Sequence, residues 1–509
     1  MPSAPGRDLQ DEAISAAQSA CPLPLAPPAA QSRTLDRSES TNLGINPRDA
    51  DKPKKLKRQV TLRKIARLTV DDISRKVHAV ILAGGPQNNP LARFRAMPAV
   101  ELGANTQLID VTISNCLRSG INKLYVLTQF NSHTLNTHIT TAYPPAVFGG
   151  VGRQGFVDVL AAHQTPDSDG WHRGSADAVR RNLPAILEKY RGVGMPDELV
   201  VLSGEAIYSM DYSQLVKTHR EQDADITIAT HSVSQEVATQ RGLVRVDPET
   251  GVVTQFYEKP SGATLETMAH ASRNATPDKP FEASMGVYVF GRDVLVSLLG
   301  PPSLDNTDSG AHFGLDIIPK ALRDDFRVCS HHFDGYFRPI TCLRDFYEIN
   351  LELAHPSSPI SLVQADEAIE SRGHMAPPST IHQCEITNTL IGEGTVLRGS
   401  VLNGCVVGCN TFVGPGCELE NTLLMGNDGY NNDALREEFR RKGEPIVGIG
   451  DGSVIKNAII DSNACIGRNV RITNEKGVQE SDCTSEGYVI HDGITCVLKN
   501  AIIPDGFQI

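Results

Sequence analysis

The chain has 509 residues, too many for one compact core, so two folded domains are expected. Its 40% hydrophobic and 21% charged content is ordinary for a soluble globular protein, and no apolar run approaches the ~20 residues of a membrane span. Sixty acidic against 48 basic residues, a net charge of −12, argue against a nucleic-acid surface.

Residues 1–75 open with an Ala/Pro/Ser-rich stretch ("CPLPLAPPAAQS") that lacks any periodicity and cannot bury enough surface to order itself. A transit segment is a candidate reading, although Asp8, Asp11 and Glu12 run against the acid-poor composition of such peptides. The basic run "KPKKLKRQVTLRKIARL" then reads as a solvated linker or short helix. The eleven cysteines form no CxxC pair and no Cys/His cluster, which excludes a zinc motif and predicts reduced thiols. Cys21, alone in the tail, is a candidate for an intersubunit disulfide.

"VHAVIL" (77–82) predicts a buried strand that breaks at Gly84 and Gly85 into a loop. Loops that cradle a triphosphate usually combine glycine N–H groups with a cation. This one offers Pro86, Gln87, Asn88, Asn89 and Pro90. Next, "QLIDVTISNCLRSG" predicts a helix stopped at Gly120, while "INKLYVLTQF", "DELVVLSG" and "DADITIATHSV" predict buried strands. Strands alternating with helices over 76–355 imply a mostly parallel sheet covered on both faces. "RGLVRVDPETGVVTQFYEKP" predicts a hairpin turning at Asp247 to Gly251.

After a linker at 356–380, residues 381–509 repeat. Branched apolar residues recur near every sixth position, at Ile391, Leu397, Leu402, Val407, Val413 and Leu419, and again at Ile449, Ile455, Ile460, Ile466 and Ile472. That period, with glycine-bearing turns, predicts a left-handed parallel β-helix. The polar stretch "NDGYNNDALREEFRRKGEP" predicts a helical protrusion from it.

A domain opening on "LAGG" and followed by hexapeptide repeats resembles the sugar-nucleotide pyrophosphorylases. "PAVELGANTQLIDVTISNCLRSGINKLYVLTQFNS", "GFVDVLAAHQ", "GWHRGSADAVR", "YEKP" and "ASMGVYVF" narrow the resemblance to glucose-1-phosphate adenylyltransferase. "ITNEKGVQESD" and "EGYVIHDGITCVLKNAIIPDG" are similar to the large, regulatory subunits of its plant and algal heterotetramers. The expected fold is therefore α/β: a Rossmann-like nucleotidyltransferase sheet, then the β-helix. The resemblance implies attack by glucose 1-phosphate on the α-phosphorus of ATP, with Mg2+ as cofactor, a plastid location, a role in starch synthesis and a catalytic small subunit as partner.

The resemblance also implies site residues. Glu258 and Lys259 match the sugar-phosphate ligands, with Gly242 and Ser284 beside them; Gly84 and Gly85 match the nucleotide loop. The family's triphosphate-gripping arginine is missing from "GGPQNNP", and its lysine before "PAV" is Met97. Its first magnesium aspartate is Glu205, and its second falls in "YFRPITC", where Pro339 replaces the acid and Arg338 beside it is expected to repel a cation. Arg95 matches one regulatory anion-binding position, whereas Gln107, Ser462 and His491 stand where the family has Arg or Lys. Unless Lys456, Arg468 or the basic tail compensates, effector binding is expected to be weak.

Three functions follow. One is a modulatory large subunit that makes little ADP-glucose by itself. Another is an active adenylyltransferase with Glu205 in a metal site rebuilt with Asp211 or Asp334. The third is a non-catalytic hexose-phosphate sensor or scaffold. An acyltransferase shares only the hexad repeat.

Overall fold

The computed structural model describes residues 70–85, 89–144, 148, 155–162, 172–187, 194–269, 274–300, 311–359, 376–430, 433–443 and 446–509. The expectations for Cys21, the tail before residue 70, the loop residues Pro86 to Asn88 and most of the 356–380 linker lie outside these.

The first domain begins earlier than expected. Helix α1 (Val70–Lys76) precedes strand β1 (Val77–Leu82), so the tail cannot run to residue 75. Ile73 is buried, Asp72 pairs with Arg220, and the Lys123 ammonium donates to the carbonyls of Ser74 and Arg75. That ammonium satisfies carbonyls left open at the helix end.

Helix α2 (Leu108–Arg118) starts from a reciprocal cap between Gln107 and Asp110 and ends before Gly120, whose φ of 77° only glycine adopts without strain. Strand β2 (Lys123–Thr128), α3 (His133–Ala142), β3 (Phe156–Ala161), α4 (Ser175–Leu187) and β4 (Glu198–Ser203) follow. Strands β4, β1, β2 and β3 lie side by side and parallel. Along β1, Ala79 and Ile81 enter one apolar cluster and Val80 the opposite one. A strand covered on both faces therefore reads as an unbroken apolar run.

Beyond them come β5 (Ala206–Tyr208), α5 (Tyr212–Glu221), β6 (Ile226–Val233), β7 (Gly242–Val246), β8 (Val253–Glu258), α6 (Gly262–Met268), β9 (Phe281–Gly291), α7 (Arg292–Leu299), α8 (Ile318–Arg323), β10 (Val328–His332), β11 (Phe337–Pro339) and α9 (Leu343–Ala354). The sheet runs β8-β7-β9-β4-β1-β2-β3, with β6 paired to β9 and β10. Strand β9 is antiparallel to β4, β6 and β7, and its register to β6 shifts between Ser284 and Tyr288. Gly286, at φ 72°, supplies the turn in that bulge.

Helix α9 carries the chain to the second domain. Leu343, Phe346 and Ile349 pack with Val406, Leu423, Ile459 and Cys496, and the Tyr347 hydroxyl donates to the Asn421 carbonyl at 2.6 Å. The second domain is a parallel β-helix. One face stacks Thr380–His382, Val396–Arg398, Phe412–Val413, Gly448–Ile449, Cys465–Ile466 and Ile502–Ile503. Leu397, Leu402, Val407, Val413, Leu419, Ile449, Ile455, Ile460, Ile466 and Ile472 form the buried column that the hexad period predicts. Asn410, Asn421, Asn457, Asn463 and Asn469 take left-handed backbone angles, which asparagine tolerates better than most residues. The expected protrusion is α10 (Asp433–Lys442); its Arg436 guanidinium lies 4.3 Å over the Phe412 ring. None of the ten described cysteines is paired.

Candidate functional site

The β7–β8 hairpin brings Gly242 opposite Glu258. A methyl group at Gly242 would lie 2.7 Å from Glu258 Oε2 and 2.6 Å from the Phe256 ring, and one at Gly314 would collide with the same carboxylate oxygen. Two glycines thus make the space into which the carboxylate folds. Burial raises the Glu258 pKa, against the charges of Lys259, Arg241 and His312, which lower it. Lys259 takes φ 50°, an unusual angle for a lysine, directly before Pro260. The bulge in β9 turns the Ser284 hydroxyl so that it donates to the Tyr288 hydroxyl at 3.2 Å and accepts from the Gly286 N–H at 3.2 Å. The arrangement offers a half-buried carboxylate to accept hydroxyl donors and an exposed ammonium to meet an anion.

The loop after β1 is different. Gly84 is pressed against β2: a methyl there would sit 2.5 Å from the Gln129 nitrogen, whereas Gly85 faces open space. Asn89 accepts from the Leu91 N–H at 3.0 Å and starts a short turn. The arginines that follow serve the β-helix. Arg93 donates to the Thr484 hydroxyl at 2.8 Å, and Arg95, 1% exposed, pairs with Asp461 at 2.7 Å and Glu101 at 3.2 Å. Burial would lower the Arg95 pKa, but the charges of Glu101 and Asp461 outweigh it and raise it. Met97 is buried in the cluster around α9.

Apart from the main sheet, β5 and β11 form a two-stranded antiparallel ladder in which Pro339 faces Ala206. The Ile340 N–H donates to the Glu205 carbonyl at 2.9 Å. Glu205 and Pro339 are therefore near neighbours, as two ligands of one ion would be, and a proline offers no donor atom in its side chain. Arg338 stands elsewhere than expected. Side chains alternate along a strand, and its guanidinium reaches Glu348 at 2.5 Å and Glu352 at 3.8 Å on α9. Its charge is spent there, which corrects the expectation that it repels a cation beside Glu205. Asp211 places both carboxylate oxygens on Ser213 at the start of α5, and Asp334 accepts from His332 at 2.8 Å. Among the described residues, the His/Cys/Asp/Glu group spaced to hold an ion is Glu480, His491 and Asp492 on the β-helix, which excludes Glu205.

A family model described as nucleotidyl transferase matches residues 78–355. The chain belongs to the nucleotidyl transferase family. A second model, the GLGC left-handed parallel β-helix domain, matches residues 374–508 and gives the hand of the coil. Together the two domains fit the glucose-1-phosphate adenylyltransferase family.

Within this nucleotidyl transferase chain the structure brings Gly242, Glu258 and Lys259 together at one end of a hairpin, with Ser284 at the bulge of β9, the strand beside it. It sets Glu205 on a separate ladder and Arg95 at the contact with the β-helix. Gln107 caps α2, the Ser462 hydroxyl is buried, and the His491 ring lies 3.3 Å from Asp492 and 3.6 Å from Glu480. Lys456 pairs with Glu420 at 2.8 Å. Sequence reasoning missed Arg241, His312 and Gly314, all of which bear on Glu258. Only Arg241 carried a local signal, as the neighbour of Gly242.

Proposed function

We propose that the chain is a modulatory large subunit of ADP-glucose pyrophosphorylase. It binds glucose 1-phosphate, forms little ADP-glucose alone, and tunes a catalytic small subunit with which it builds a heterotetramer for starch synthesis in the plastid. ATP is the expected second ligand, at the loop of Gly84 and Gly85.

One observation carries the reading: Pro339 stands beside Ala206 and Glu205 where a second carboxylate would complete a magnesium site, while Glu258 keeps its glycine-lined cradle. Magnesium demands near-octahedral oxygen ligands, and a site whose second carboxylate position holds a proline gives it less purchase. Loss of one group that stabilises a transferring phosphoryl costs roughly 10²- to 10³-fold in rate. A gripping arginine is worth roughly 10³- to 10⁵-fold.

The test is co-expression with a catalytic small subunit and kinetic comparison with that subunit alone. A stable complex with altered KM for glucose 1-phosphate or altered effector response supports the reading. Failure to co-purify would favour a hexose-phosphate sensor that works without a catalytic partner.

A further inference from the structure

We propose that Arg241 is the second cation of the sugar-phosphate subsite, closing on the phosphoryl group together with Lys259, so that the sugar phosphate binds without a divalent metal. The proposal rests on the sugar-phosphate reading of this pocket and adds a residue and a metal independence to it.

Arg241 immediately precedes Gly242, and its carbonyl accepts the Lys259 N–H at 2.9 Å. The two basic residues thus face each other across the end of the β7–β8 ladder, one step beyond the Gly242–Glu258 pair. Arg241 is half-buried, and removal of its guanidinium from water lowers its pKa. Asp345 and Glu258 both act on that charge through space, yet neither is free to neutralise it. Asp345 accepts from the Thr341 N–H at 2.9 Å and the Cys342 N–H at 3.3 Å at the start of α9. Glu258 also lies in the field of Lys259 and His312. Among the described residues, no carboxylate closes within 4.0 Å of either Arg241 or Lys259, although eight other arginines make such pairs.

A partly desolvated cation without a partner is costly unless an anion completes it. A planar guanidinium fork suits two phosphoryl oxygens, and a lysine ammonium beside it supplies a point charge. The charges that act on Arg241 through space, Asp345 and Glu258, come from the start of α9 and from the glycine-lined cradle.

The experiment is calorimetric titration of the full chain with glucose 1-phosphate, once in magnesium and once in EDTA, for the native chain, Arg241→Gln and Arg241→Lys. Thermal melts confirm that each variant folds. The expected result is equal affinity of the native chain in both buffers, a roughly tenfold or greater loss for Arg241→Gln, and partial retention for Arg241→Lys. Native affinity in Arg241→Gln, or binding that appears only with magnesium, overturns the proposal and leaves the sugar-phosphate reading standing. If Arg241→Gln does not fold, Arg241→Lys binding as tightly as the native chain in EDTA overturns the role of the fork. No binding by the native chain in either buffer overturns the proposal together with the reading beneath it.

Discussion

Glu258 and Pro339 mark the two halves of the proposed site. The first has a carboxylate whose space is made by Gly242 and Gly314; the second has a side chain without a donor atom, held against Ala206. The ladder makes the defect addressable, because a substitution at 339 arrives next to Glu205 without moving the strand. Pro339→Asp is expected to tighten Mn2+ binding, followed by electron paramagnetic resonance, by about tenfold, equivalent to about 1.4 kcal/mol. Unchanged Mn2+ affinity would mean that Glu205 and residue 339 do not share an ion. Gly242, Glu258, Lys259 and Ser284 came from the sequence only through the resemblance; the structure puts the first three at one end of the hairpin and Ser284 at the bulge of the neighbouring strand. Arg241 carried only its place beside Gly242 as a local signal, since Asp345, the charge that acts on it most, is more than a hundred residues away. Arg95 matched an anion-binding position, and the structure gives it Asp461 and Glu101; among the described residues its Nε and Nη1 make no hydrogen bond.

At the scale of elements, the parallel half of the sheet was legible from unbroken apolar runs, and the antiparallel strand β9 was not. Both kinds of buried strand show the same pattern. The polar end of β10 is a second departure. His332 lies 3.2 Å from Glu282 on β9 and 2.8 Å from Asp334 in the following loop, and Thr230 on β6 and Ser330 on β10 also donate to Glu282. Burial would lower the His332 pKa, but the hydrogen bonds and charges of Glu282 and Asp334 raise it above its ordinary value. His331 beside it carries a lowered pKa, from burial and from the His332 charge. A raised folded-state pKa means stabilisation that is complete below the unfolded value of about 6.5 and lost as pH rises through the folded value. The urea midpoint of His332→Ala should therefore fall furthest below the native midpoint in mildly acidic buffer, with the gap narrowing as pH rises. A gap independent of pH would contradict this assignment.

At the scale of the whole molecule, helix α9 and the Arg93 and Arg95 contacts tie the nucleotidyl transferase domain to the β-helix. Breaking a buried pair such as Arg95–Asp461 leaves an uncompensated charge, which typically costs about 3–5 kcal/mol; these arginines are thus committed to the junction rather than to a triphosphate. The β-helix was the most legible part of the chain, because a six-residue period survives in sequence wherever each side of every coil must turn a residue into the same buried core. The start of the first domain at residue 70 was less legible, since α1 is held by Arg220 and Lys123 from distant elements. The central claim, a kept sugar-phosphate subsite beside lost chemistry, meets its most direct test in ADP-glucose formation by the purified chain alone. The assay needs ATP, glucose 1-phosphate and magnesium, with protein made in a host lacking its own pyrophosphorylase. No detectable turnover is expected. Turnover near an ordinary enzyme rate, about 10 per second, would contradict it and place Glu205 in a working metal site.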